Sequence, residues 1–110
     1  MNESELIEII YGSIEVGMVI KKPNQDSVIL NITENGNIYY RIGESNRKAV
    51  TKNELSKTYK LLSEGALSSS HLYEIVTTAK PCNATTIKWL LKHSGLAREN
   101  DNGELVKLRW

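Results

Sequence analysis

The hydrophobic period changes between residues 50 and 51, from that of a strand to that of a helix, and that change limits the folds open to this chain. Before it, Ile14, Val16, Met18 and Ile20 alternate with Glu15, Gly17, Val19 and Lys21. A period of two marks a strand with one face inward. After it, Leu55, Tyr59 and Leu62 recur at helical spacing. The junction itself reads Val50-Thr51-Lys52-Asn53-Glu54-Leu55. Thr51 and Glu54 stand at the two positions of a capping box, and Val50 and Leu55 at those of a hydrophobic staple. A helix therefore starts at residue 51, and Gly65 ends it. The fold class expected is α+β. Residues 1–50 are expected to form a helix plus a strand-rich unit, and residues 51–110 a helix-and-hairpin unit, the two sharing one core.

Turn chemistry divides the strand-rich part. Lys22-Pro23-Asn24-Gln25-Asp26 reads as a turn, and Ser27 to Ile32 as a β-branched strand. Thr33-Glu34-Asn35-Gly36 holds Asn-Gly, a strong hairpin signal. A third strand is expected over Asn37 to Ile42, and a short fourth over Arg47 to Val50. Together these make a small antiparallel meander or half-barrel. Ahead of it, Leu6, Ile7, Ile10 and Tyr11 share a helical stripe, with Asn2 as cap, Glu5 three residues on and Gly12 as stop.

Two more helices are expected after Gly65. The first runs from His71 to Ala79 behind a Ser70 cap, with Leu72, Ile75, Val76 and Ala79 inward. Lys80-Pro81-Cys82 breaks it. The second runs from Ala84 to Ser94 behind an Asn83 cap, with Ile87, Leu90 and Leu91 inward and Gly95 as terminator. Asp101-Asn102-Gly103 then turns a closing hairpin, with Val106, Leu108 and Trp110 alternating against Lys107 and Arg109.

Composition narrows the function classes. Charged residues are 25% and hydrophobic residues 40% of the 110, as in ordinary soluble domains. No apolar run approaches the ~18 residues of a membrane helix. The acidic start, Met1 to Glu5, does not resemble a signal peptide, so the expected location is cytoplasmic and no membrane partner is expected. Asn31-Ile32-Thr33 and Asn83-Ala84-Thr85 match the glycosylation pattern by chance on that reading. The net charge of +1 hides −4 over residues 1–20, +4 over 21–60 and +1 over 61–110. An imbalance of this size is also common on solvated faces.

The element order from residue 51 is helix, helix, short turn, helix, β-hairpin. In that order the second half resembles a winged helix-turn-helix domain. The resemblance rests on pattern and covers about half the chain. It implies that the helix Ala84 to Ser94 enters the DNA major groove, and that the hairpin Leu96 to Trp110 acts as a wing on the backbone or minor groove. The contacts it implies are Asn83, Thr85, Lys88 and Lys92 on the helix and Arg98, Lys107 and Arg109 on the wing. Glu99, Asp101 and Glu104 on the same hairpin oppose phosphate contact.

Other residues define competing readings. Arg47, Lys48, Lys52, Lys57 and Lys60 make a secondary basic surface around the Thr51 helix, or a solubilising face. Tyr39 and Tyr40 are adjacent in a strand, so one points in and one out; an outward tyrosine stacks a base, anchors a protein or covers a neighbour. Trp89 lies opposite Ile87 and is expected to be covered, by the strand-rich unit or by Trp110. Cys82 is the one cysteine, which excludes an intramolecular disulfide, and a catalytic thiol needs a base and an orienter besides. His93 is about three helical turns from it. One cysteine and two histidines give no zinc spacing, and no phosphate-binding glycine loop or nucleophile elbow is present. The chain is expected to be non-enzymatic, without cofactor or metal. DNA is the first partner expected and another protein the second, with a homodimer compatible with either.

Overall fold

The computed structural model describes residues 1–76 and 80–110. The fold is α+β, with four helices and two antiparallel sheets among the described residues. Helix α1 (Glu3–Gly12) opens it, and Asn2 and Glu5 form a reciprocal capping box there. Its buried stripe is Leu6, Ile7 and Ile10.

Four strands follow in simple meander order: β1 (Val19–Ile20), β2 (Ser27–Ile32), β3 (Ile38–Ile42) and β4 (Asn46–Val50). The first strand is much shorter than the alternation of residues 14–20 suggests. Ile14 and Ile20 are buried, but Val16 is 73% exposed. The cause is a turn: Met18 N–H donates to the Glu15 carbonyl at 3.1 Å, and Gly17 takes φ +89°. Gly17 N–H still reaches the Ile29 carbonyl at 2.7 Å, so the segment stays fastened to β2 without forming a ladder. A register shift between Ile29 and Asn31 leaves Leu30 as an extra residue in β2 and bends the sheet. The sheet stays open, because β1 and β4 are not neighbours.

The Asn-Gly hairpin forms as its sequence requires. Gly36 takes φ +83°, and its carbonyl accepts the Tyr11 hydroxyl at 2.6 Å. A Cβ at Gly36 would collide with that hydroxyl, so this glycine both makes the turn and admits α1.

Helix α2 (Lys52–Glu64) starts at the Thr51–Glu54 capping box, with Val50 and Leu55 both buried beside it. It ends at Gly65. Helix α3 (Ser69–Ile75) is shorter and begins earlier than its spacing suggests, because Ser68 rather than Ser70 accepts the capping bond, from His71 N–H at 3.2 Å. Leu72 and Val76 are buried and Ile75 partly so; Ala79 lies outside the described residues. Helix α4 (Cys82–His93) also starts ahead of expectation. Pro81 holds its N-terminal boundary, and Asn83 sits in the first turn instead of capping it. Ile87, Leu90 and Leu91 are fully buried. Gly95, at φ +75°, ends the helix and turns Leu96 N–H onto the Leu91 carbonyl at 3.0 Å.

Strands β5 (Ala97–Glu99) and β6 (Leu105–Lys107) make the last hairpin. Here the inward residue is Leu105, not Val106, which is only half-buried. Leu105 is turned inward by a two-bond bridge to Leu67, the residue between α2 and α3. Buried side chains from the sheet, from all four helices and from this hairpin join in one cluster.

Candidate nucleic-acid interface

Helix α4 separates two polar environments. On its inner side, Asn83 is fully buried. Its Oδ1 accepts the Tyr40 hydroxyl at 2.5 Å, while its Nδ2 donates to the Ala49 carbonyl at 2.7 Å and to Glu54 Oε1 at 3.2 Å. Glu54 Oε1 also accepts Thr51 N–H at 2.8 Å. One amide thus joins β3, β4, α2 and α4. Burial pushes the Tyr40 phenol's pKa upward, so it remains a donor. Asn83 therefore drops out of the expected contact set: it neither caps α4 nor reaches solvent.

On the outer side, Thr85, Lys88 and Lys92 stand in one row, at spacings of three and four. They line a depression that Pro23 and Thr85 share with two neighbouring ones, so a single trough runs along the helix. Toward α3 it holds about 290 Å³ and is lined by Leu72, Tyr73 and Ala84. Toward the hairpin it holds about 240 Å³ and is lined by Lys21, Trp89, Lys92 and Glu99. The wall opposite α3 is the β1–β2 loop. Sequence reasoning read that loop as a mere turn, since no local pattern reveals which distant helix a loop will lie against.

The hairpin supplies the acid that holds the lysines. Glu99 takes Lys92 Nζ at 2.7 Å and Lys88 Nζ at 3.2 Å. Hydrogen bonds from Lys92 and then Lys88 hold its carboxyl below the usual range. Two cations share one anion, so the cluster keeps a net positive charge. All three side chains are about a third exposed or more, so the pairs are screened and easily remade. Lys21 adds a further cation at the rim, paired with Asp26 at 3.0 Å.

The remaining residues expected as contacts on the hairpin divide. Arg98 is exposed on β5, and Arg109 is exposed beyond the end of β6 at φ +55°. Lys107 faces elsewhere: its Nζ donates to the Ser63 carbonyl at 3.0 Å, near the C-terminus of α2, a placement the helix dipole favours. Trp110 stacks on Tyr59 with ring centroids 5.5 Å apart, and its Nε1 donates to the Leu96 carbonyl. It does not cover Trp89. That ring is half-buried and stacks on His93 at 4.4 Å, and His93 Nε2 lies 2.9 Å from the Ser13 carbonyl.

The secondary basic residues do not share one surface. Strand alternation puts Arg47 beside Arg41 on the open face of the sheet and Lys48 beside Tyr40 on the other. Lys57 and Lys60 are exposed on α2, and Lys52 lies by the β2–β3 turn, its N–H on Asn37 Oδ1 at 3.3 Å. Tyr40 points in and Tyr39 out, 37% exposed. No helix among the described residues is long and apolar enough to cross a membrane. No protein-family model matches the chain, and no curated protein or solved structure matches it either.

Proposed function

We propose that this chain is a non-enzymatic nucleic-acid-binding protein that docks on duplex DNA through the outer row of α4 and the β5–β6 wing. The observation that carries the reading is the convergence of Lys21, Lys88 and Lys92 on one trough with Thr85 and Trp89, from the loop of one half and the helix of the other. The connectivity supports it: helix, helix, helix, hairpin is the order of a winged helix, and a bridge between Leu67 and Leu105 ties the hairpin back to the turn after α2. The contact set is Lys21, Thr85, Lys88, Lys92, Arg98 and Arg109. Asn83 leaves it because it is buried, and Lys107 because it is committed to α2. Lysines here act on phosphates, so affinity is mainly electrostatic and only weakly sequence-dependent.

The test is binding of a mixed-sequence duplex at low salt, repeated with Lys88→Glu and Lys92→Glu together. Binding that disappears in the double variant is expected. Absence of duplex binding by the unaltered chain at low salt contradicts the reading.

A protein partner is the second reading. It is favoured by the open sheet face, where Val19 is 45% and Tyr39 37% exposed, with Val28, Arg41 and Arg47 in the same row across the strands. Such a partner would bind equally well to the Lys88/Lys92 double variant.

A further inference from the structure

The end of the trough toward α3 is apolar. Pro23, Leu72, Tyr73, Pro81 and Ala84 line it around a volume of about 290 Å³. Leu72 is buried, whereas its neighbour Tyr73 is 45% exposed. A ring that lines a hollow and still meets water offers its face to a flat ligand. Pockets for drug-sized ligands run to about 300–1,000 Å³, so this hollow suits a single ring system.

Cations stand beside it. Lys88 lines both this end and the hairpin end, where Lys21 and Lys92 join it against Glu99. Lys80 Nζ lies 4.9 Å from the centre of the Tyr73 ring. Lys80 is exposed, so this contact is weak and the ammonium leaves the ring for an anion at little cost. Glu74, next to Tyr73 on α3, is exposed and does not line the hollow. A flat ring that carries phosphates on either side matches an apolar, aromatic hollow flanked by ammonium groups. A fully paired duplex does not supply one: its base faces are stacked on one another, and it presents only phosphates to the lysine row.

We propose that the α3 end of the trough receives one unpaired nucleobase, stacked on Tyr73, while Lys80 and Lys88 meet the flanking phosphates. Such binding presupposes that the lysine row meets a nucleic-acid backbone, and adds that the strand in the trough has a base out of the stack. Extrusion costs least where the base already lacks a partner. The protein therefore favours a bulged site or a single strand over a continuous duplex. Stacking of one base on one aromatic side chain is worth roughly 5- to 100-fold in affinity.

The experiment is fluorescence anisotropy at low salt with DNAs of one sequence: the fully paired duplex, the same duplex with one bulged base, and the single strand. The bulged duplex is expected to bind at least about fivefold tighter than the paired one. Tyr73→Ala should remove that gain and leave affinity for the paired duplex unchanged. Tyr73→Phe should keep the gain, because the ring and not the hydroxyl does the stacking. A gain with the single strand alone, lost in Tyr73→Ala, identifies a free strand as the source. Should Tyr73→Ala not fold, 2-aminopurine at the unpaired position gives the same answer with the unaltered chain, because its fluorescence must fall as it stacks on the ring. Equal affinity for all the DNAs, or a gain that survives Tyr73→Ala, overturns the proposal, leaves the duplex reading intact and leaves the hollow to an apolar side chain of a protein partner. A strand bound through Tyr73 with no affinity for the paired duplex upholds the proposal and contradicts the duplex reading. Binding of none of the DNAs overturns both.

Discussion

The two sides of α4 treat polar side chains in opposite ways. On the inner side, Asn83 satisfies three elements from a fully buried position, with bonds of 2.5 to 3.2 Å. On the outer side, Lys88 and Lys92 hold one carboxylate between them and stay partly in water. The difference separates polar groups spent on folding from polar groups that stay exchangeable at the surface. An amide bonded through both its oxygen and its nitrogen inside the core cannot change partners without unfolding. An ammonium at the surface can leave Glu99 for a phosphate at little cost.

That contrast is most severely tested by substitutions on the inner side. Leu91→Ala, in the packed core on the same side of α4, is expected to cost ~2–5 kcal/mol by urea denaturation. Asn83→Ala should follow at about 2–4 kcal/mol, since it removes the acceptor of the buried Tyr40 hydroxyl and a donor to the Ala49 carbonyl and to Glu54. Thr85→Val, two residues away on the outer side, should stay within ~0.5 kcal/mol. Equal losses for Asn83→Ala and Thr85→Val would erase the distinction between the two sides.

A smaller effect is expected where the network meets α2. Thr51→Ala removes the capping acceptor of Glu54 N–H and a donor to Glu54 Oε1, and should cost about 1 kcal/mol. A loss near zero would mean that the Thr51 hydroxyl contributes nothing beyond the bond its backbone N–H already gives Glu54.

The smallest stability effect belongs to the outer pairs. The folded-state pKa of Glu99 is depressed, so its contribution is present above the unfolded carboxylate value of about 4.3 and is lost as pH falls through the folded value. Glu99→Gln should therefore cost only ~0.2–1 kcal/mol at neutral pH, and nothing once the carboxyl is protonated. Urea midpoints for both proteins at pH 7 and at about pH 2 check the sign. A gap that widens in acid would contradict it.

How much of this was legible in the sequence follows the range of the interactions. The capping boxes at Asn2 and Thr51, the Asn-Gly hairpin and the Ile87–Leu90–Leu91 stripe are local patterns, and each appears in the structure. That Tyr39 and Tyr40 point to opposite faces follows from alternation alone; that Tyr40 is the inward one does not, and the structure decides it. Asn83 was misread because a side-chain oxygen before an apolar run signals a cap, while the Tyr40, Ala49 and Glu54 groups that claim it lie 29 to 43 residues away. Lys21 was overlooked at the interface for the same reason: a Lys-Pro-Asn loop declares a turn but not its tertiary neighbour. The pairing of Lys88 and Lys92 with Glu99 likewise depends on the hairpin folding back along the helix.

The most direct test of the duplex-binding account is the salt dependence of affinity, measured by fluorescence anisotropy on a mixed-sequence duplex. Five cations, Lys21, Lys88, Lys92, Arg98 and Arg109, give an expected slope of log K against log salt of about −4.5, a loss of roughly 10²–10³ between 50 and 200 mM. Lys21→Gln should reduce the slope by about 0.9, because the β1–β2 loop contributes one of those contacts. A steep slope that shrinks by that amount supports a trough shared by both halves of the chain. A slope near zero, or no duplex binding at low salt, contradicts it.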